Sequence, residues 1–125
     1  MDTIEILIDK GVKLTREEMI AHISEEANIR FHIGLERGSL KVELYVPKGE
    51  DLQTPHEQDE CYIVTRGNGQ FVMGEETVDF KPGDFLFVPA GIPHRFINFG
   101  DEMEAWVIFY GPQGGEGNRK YQNVR

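Results

Sequence analysis

Hydrophobic and polar positions change rhythm once along this chain, from a helical spacing near the front to a period of two over most of the rest. Ile4-Glu5-Ile6-Leu7-Ile8 alternates loosely and predicts a short strand that Lys10-Gly11 closes. Thr15-Arg16-Glu17-Glu18 then fits a capping box, with Thr15 at the N-cap and Glu18 reaching back. Met19, Ile20 and Ile23 follow at helical spacing, with Ala27 further on. The pattern predicts one amphipathic helix over about 16–27. From Ile29 onward Phe31, Ile33 and Leu35 alternate, and Gly38 turns the chain. Leu40, Val42, Leu44 and Val46 then alternate strictly against Lys41, Glu43 and Tyr45, up to Pro47-Lys48-Gly49.

The remaining elements are short strands cut by turn residues. Residues 61–64 are apolar and partly β-branched, and Arg66-Gly67-Asn68-Gly69 is a strong turn signal. Gly74-Glu75-Glu76 joins two strand-like runs into a hairpin, and Lys81-Pro82-Gly83-Asp84 turns again. Residues 85–88, 94–99 and 105–110 supply the last strands, with Pro89-Ala90-Gly91 between the first two. About eight to ten short strands with frequent turns predict an all-β sandwich or barrel rather than βαβ units. At 125 residues the length suits one domain able to bury a core without disulfides. The expected division is a barrel over 1–112, including the first strand and the helix, and a Gly-rich tail over 113–125. The tail is expected to be mobile unless a partner holds it.

Charge and cysteine content narrow the functional classes. The net charge is −9, and the 13 basic residues are scattered. Phosphate neutralisation needs clustered Lys and Arg, so nucleic acid and anionic membrane are disfavoured. No apolar run approaches the roughly 18 residues that span a bilayer. The single cysteine, Cys61, excludes an internal disulfide, and the acidic N-terminus lacks a signal-peptide pattern. The expectation is a cytoplasmic protein.

Two separated stretches carry the candidate chemistry: Thr54-Pro55-His56 with Glu60 and Gly67, and Gly83-Asp84 with Pro89-Ala90-Gly91-Ile92-Pro93-His94 and Asn98. If the strands bring His56, Glu60 and His94 together, two imidazoles and one carboxylate meet a single metal ion and leave coordination positions open. Strand parity puts Thr54 and His56 on one face, Glu60, Tyr62 and Val64 on one face, and His94, Phe96 and Asn98 on another. Tyr62, two residues beyond Glu60 and polar at its tip, is the candidate catalytic residue. Tyr62, Phe71, Phe96, Trp106 and Tyr110 are candidates for the pocket wall or for plain core packing. Glu57, Gln58 and Asp59 are a solvated turn or a source of a substitute ligand. His32 and Cys61 have the opposite parity to their neighbours and are expected to face away from the site, and His22 is expected on the helix surface.

These stretches resemble the two sequence motifs of the cupin superfamily. The second fits at every signature position: Gly83, five residues, Pro89, one residue, Gly91, two residues, His94, three residues, Asn98. In the first, Gly49, His56, Glu60 and Gly67 fit, but Thr54 stands where the family places its first histidine. The resemblance implies a jelly-roll barrel with the site in its mouth, a mononuclear divalent metal, and frequent dimers that exchange an N-terminal strand. Three protein ligands then suit Fe, Mn, Ni, Co or Zn, with one more open position than a four-ligand site. The expected function is a metal-binding cupin, a dioxygenase, isomerase or lyase working on a small polar metabolite, as a homodimer. The alternatives are a non-catalytic small-molecule or sugar-binding module, and a metal-free enzyme using His56 or His94 as acid–base.

Overall fold

A computed structural model describes residues 9–117; the strand expected at 4–8 and the tail beyond 117 lie outside the described residues. Helix α1 (Arg16–Ala21) is followed by β1 (Phe31–Arg37), β2 (Leu40–Tyr45), β3 (Asp59–Arg66), β4 (Gly69–Met73), β5 (Glu76–Phe80), β6 (Phe85–Val88), β7 (His94–Ile97) and β8 (Glu104–Tyr110). The strands form a five-stranded sheet, β1-β2-β8-β3-β6, and a three-stranded sheet, β5-β4-β7. Every described strand pair is antiparallel, as in a jelly roll.

The inward faces of the two sheets meet in an apolar core. Tyr62 and Val64 on β3, Phe71 on β4, Phe80 on β5, Val88 on β6 and Phe96 on β7 are all buried there. Aromatic edges pack onto faces: Tyr62 meets Phe96 at 5.1 Å and Phe71 at 5.3 Å between ring centroids.

The helix is shorter than the sequence pattern suggests. Thr15 caps it as expected, its hydroxyl accepting from the Glu18 amide at 3.2 Å. The amides of His22 and Ile23 then bond three residues back, to Met19 and Ile20, which tightens the last turn. Ser24 diverts the chain by accepting from the Glu26 amide. Ile23 still packs beside Met19, Leu44 and Val46, so its spacing reflected burial rather than helix. Arg16 anchors the helix to β8, its Nε donating to the two carboxylate oxygens of Glu104 at 2.9 and 2.7 Å.

That second cluster lies on the outside of the large sheet. Leu44 and Val46 face α1, so Lys41, Glu43 and Tyr45 face inward. An irregularity at Gly34 switches β1 between faces: Ile33 pairs with Glu43, but Leu35 pairs with Val42. A Cβ at Gly34 would lie 2.6 Å from Met19 Sδ, so the missing side chain lets the helix close onto the sheet. His32 pairs with Leu44 on this outer face, where its ring stacks on His22 at 4.4 Å. Trp106 packs here too, beneath α1 rather than in a pocket.

Candidate metal centre

His56, Glu60 and His94 reach one point from three places. Glu60 starts the inward face of β3, His94 opens β7, and His56 sits in the loop before β3. The segment carrying Thr54 and His56 is not a strand, so the parity argument for that pair does not hold. Proline at 55 and the acidic-polar run after His56 keep it irregular. The loop is held instead by its backbone, with the Gly91 amide donating to the His56 carbonyl at 2.7 Å. Thr54 is exposed on a cavity wall.

One ligand atom from each of His56, Glu60 and His94 lies within 4.8 Å of the others. His94 Nε2 is 2.7 Å from Glu60 Oε1, with both side chains about 1% exposed. That contact is close but not directed as a hydrogen bond: among the described residues, His94 Nε2 and Glu60 Oε2 are buried without a hydrogen-bond partner. Unpartnered buried polar atoms are costly and rare. A cation between these atoms would satisfy both, so the donor set fits a metal. His94 Nδ1 lies 2.8 Å from the Ile92 carbonyl, which orients the ring and leaves Nε2 for the site. The sequence had no means of naming that acceptor.

Electrostatics suit the same purpose. Burial lowers the pKa of His56, partly offset by the Glu60 carboxylate, and so favours the neutral imidazole a metal needs. Burial pulls the His94 imidazole down as well, but the adjacent Glu60 outweighs it and raises the pKa.

Beside the trio opens a cavity of about 740 Å³. His56 is on its wall, Glu60 and His94 are not, and His94 instead lines a smaller cavity of about 190 Å³ with Gln53 and Pro55. The residues between His56 and Glu60 are committed elsewhere. Glu57 accepts from Gln113 Nε2 at 2.7 Å, Gln58 donates to the carbonyls of Ser39 and Gly111, and Asp59 accepts from the amides of Ala90 and Glu116. The same bonds hold 113–116 against the loop, so the described start of the Gly-rich segment is tied down within the chain. Tyr62 is wholly buried, and its hydroxyl donates to Gln53 Oε1 at 3.0 Å. Cys61 pairs with Phe87 and Ile108 on the opposite face of β3 from Glu60. Asn98 lies past the far end of β7, where its amide donates to Gln70.

Sequence reasoning missed Asp51. Its buried carboxylate accepts from the Tyr45 hydroxyl, from Gln53 Nε2 at 2.9 Å and from the Phe96 amide at 2.8 Å. It thereby ties β2, the loop toward His56, and the strand of His94 together. Nothing in Gly49-Glu50-Asp51 distinguishes it from an ordinary polar turn.

The sequence matches the Cupin_2 family, described as a cupin domain, over residues 41–110. The chain belongs to the cupins. An uncharacterized protein of Streptomyces coelicolor is 36% identical over 63 residues, covering 50% of this cupin and 60% of that protein. The chain thus spans less than two thirds of that relative's length. A Cupin 2 conserved barrel domain protein from Salinispora arenicola superposes with a TM-score of 0.63 at 17% identity, over 83% of this chain and 91% of that one. KdgF from Halomonas sp. superposes with a TM-score of 0.66 at 16% identity, over 83% and 96% respectively. At such identities the likeness is one of fold.

Proposed function

We propose that this cupin holds one divalent transition metal on His56, Glu60 and His94 and acts on a small polar metabolite in the adjoining cavity. The observation that carries the reading is the pair of buried, unpartnered atoms, His94 Nε2 and Glu60 Oε2, beside a third donor on His56. With Fe, Mn, Ni, Co or Zn bound, the site would supply Lewis acidity toward substrate oxygens or redox chemistry with dioxygen, which leaves dioxygenase, isomerase and lyase reactions as the candidate classes. The chain's own residues set the geometry. Ile92 holds the His94 ring, Asp51 holds the strand behind it, and His56 joins the trio to the cavity. The Tyr62 hydroxyl donates to Gln53 Oε1 and lies beside the Glu60 carboxylate, which keeps it a candidate catalytic residue.

Elemental analysis of protein purified without an affinity tag tests this directly. One equivalent of a transition metal in the wild type, lost in His94→Ala, is the expected result. Stoichiometric metal in His94→Ala, or turnover by metal-free protein, sinks it. Ligand binding without turnover across a metabolite panel would leave a binding module.

The reading carries with it a cytoplasmic homodimer. Phe85, Phe87 and Ile63 are exposed on the outer face at the β6 edge, which supports self-association. Sedimentation of Phe85→Ser checks that part, with a shift toward monomer expected.

A further inference from the structure

The cavity has two unlike walls. Ile29, Phe31 and Ile33 make one apolar side, and β2 adds Lys41, Glu43 and Tyr45 beside it. Glu60 aside, Glu43 differs from the other buried carboxylates. Asp51 accepts from three residues, Asp59 from two amides, and Glu104 from Arg16 and Arg66. Among the described residues none donates a hydrogen bond to Glu43, although its carboxyl lines the cavity.

We propose that Lys41 and Glu43 are an anion-accepting pair, and that the cavity takes a small hydroxy- or keto-acid whose carboxylate Lys41 attracts and Glu43 meets with a donated O–H. The metal reading above supplies the other end, where the ligand's hydroxyl or keto oxygen turns toward His56. The carboxylate end does not depend on it.

The surroundings of Glu43 favour the neutral, donating form. Burial raises its pKa to about 8, the Glu60 charge adds to this, and Lys41 opposes it. From β1 it meets Ile33 and from β8 Val107, both apolar. On its own strand the Tyr45 hydroxyl is committed to Asp51. Burial lowers the pKa of His56 across the cavity. The remaining charged side chains on the lining are Lys41 and Glu57, and Glu57 is already engaged by Gln113. A protonated carboxyl beside an ammonium group repels cations and accepts a carboxylate.

Calorimetric titration of lactate, malate and 2-oxobutyrate, each against its amide, tests the pair. In the wild type the acids should bind about tenfold or more tighter than the amides. That affinity should fall about tenfold between about pH 7 and pH 9, as Glu43 loses its proton and turns from donor to repelling charge. Glu43→Gln donates at every pH and should remove the fall, while Lys41→Met should lose about tenfold at pH 7. No acid binding better than its amide, or an unchanged pH dependence in Glu43→Gln, overturns the proposal. The same titration on metal-stripped protein separates the two readings. A surviving acid preference in a chain that never takes up metal keeps this pair and ends the metal reading. Stoichiometric metal without acid preference does the reverse.

Discussion

His94 Nδ1 lies 2.8 Å from the carbonyl oxygen of Ile92, two residues before it, and this contact fixes which edge of the imidazole faces Glu60. The carbonyl accepts only, so Nδ1 carries the proton and Nε2 presents a lone pair in the neutral ring. The chain forms the contact locally, through the turn Pro89-Ala90-Gly91, in which the Ile92 amide bonds back to Pro89.

Removing a ligand should therefore cost more than removing its support. Glu60→Gln and His94→Ala are expected to weaken metal binding beyond the roughly 10–100-fold typical of losing an outer partner. Competition against a fluorescent chelator measures both. A Glu60→Gln protein that holds metal as tightly as wild type would contradict the assignment.

Asp51 offers a separate prediction. Asp51→Ala leaves the Tyr45 hydroxyl and the Phe96 amide without their acceptor in a buried region. A loss of about 2–4 kcal/mol is expected in urea unfolding. Metal affinity should fall as well, because the strand carrying His94 loses its tether.

The pH dependence of folding should report on Glu43. Its pKa is 4.5 ordinarily and about 8 in the folded protein. The folded state then holds a proton that the unfolded chain releases. The sign follows: this carboxyl costs nothing below about pH 4.5, and stability declines from there to about pH 8, where the effect levels off. Glu43→Gln should flatten that window and be more stable at neutral pH, by on the order of 2–4 kcal/mol. Urea midpoints collected across the range decide it.

Gly67 should tolerate no side chain. Its φ is +88°, and a Cβ would stand 2.8 Å from the Met103 Cα. Gly67→Ala combines left-handed strain with a backbone clash, and a loss of about 2 kcal/mol or more is expected on thermal unfolding. Gly100→Ala meets nothing within 4 Å among the described residues and serves as the control.

Much of this architecture was legible from spacing alone. The turn residues marked the strand ends, and the Thr15 cap placed the start of the helix. His94 and Glu60 were readable because each belongs to a motif with fixed intervals. What stayed hidden depends on contacts between distant segments. The alternation of residues 40–46 gives no sign of which face is inward, since α1 supplies a second apolar surface outside the sheet. Gly34 looks like one more small residue, yet it switches β1 from cavity to helix. Asp51 sits in a polar turn whose burial follows only from the closing of β7 over it.

Because Leu44 and Val46 anchor β2 from behind, under the helix, the strand's grip on the barrel does not rely on what it shows in front. Positions 41 and 43 are thereby released from the work of holding the protein together. Descendants of this chain are free to rewrite that short stretch, swapping charge or size to greet a new molecule, while the scaffold and the trio of His56, Glu60 and His94 go on undisturbed.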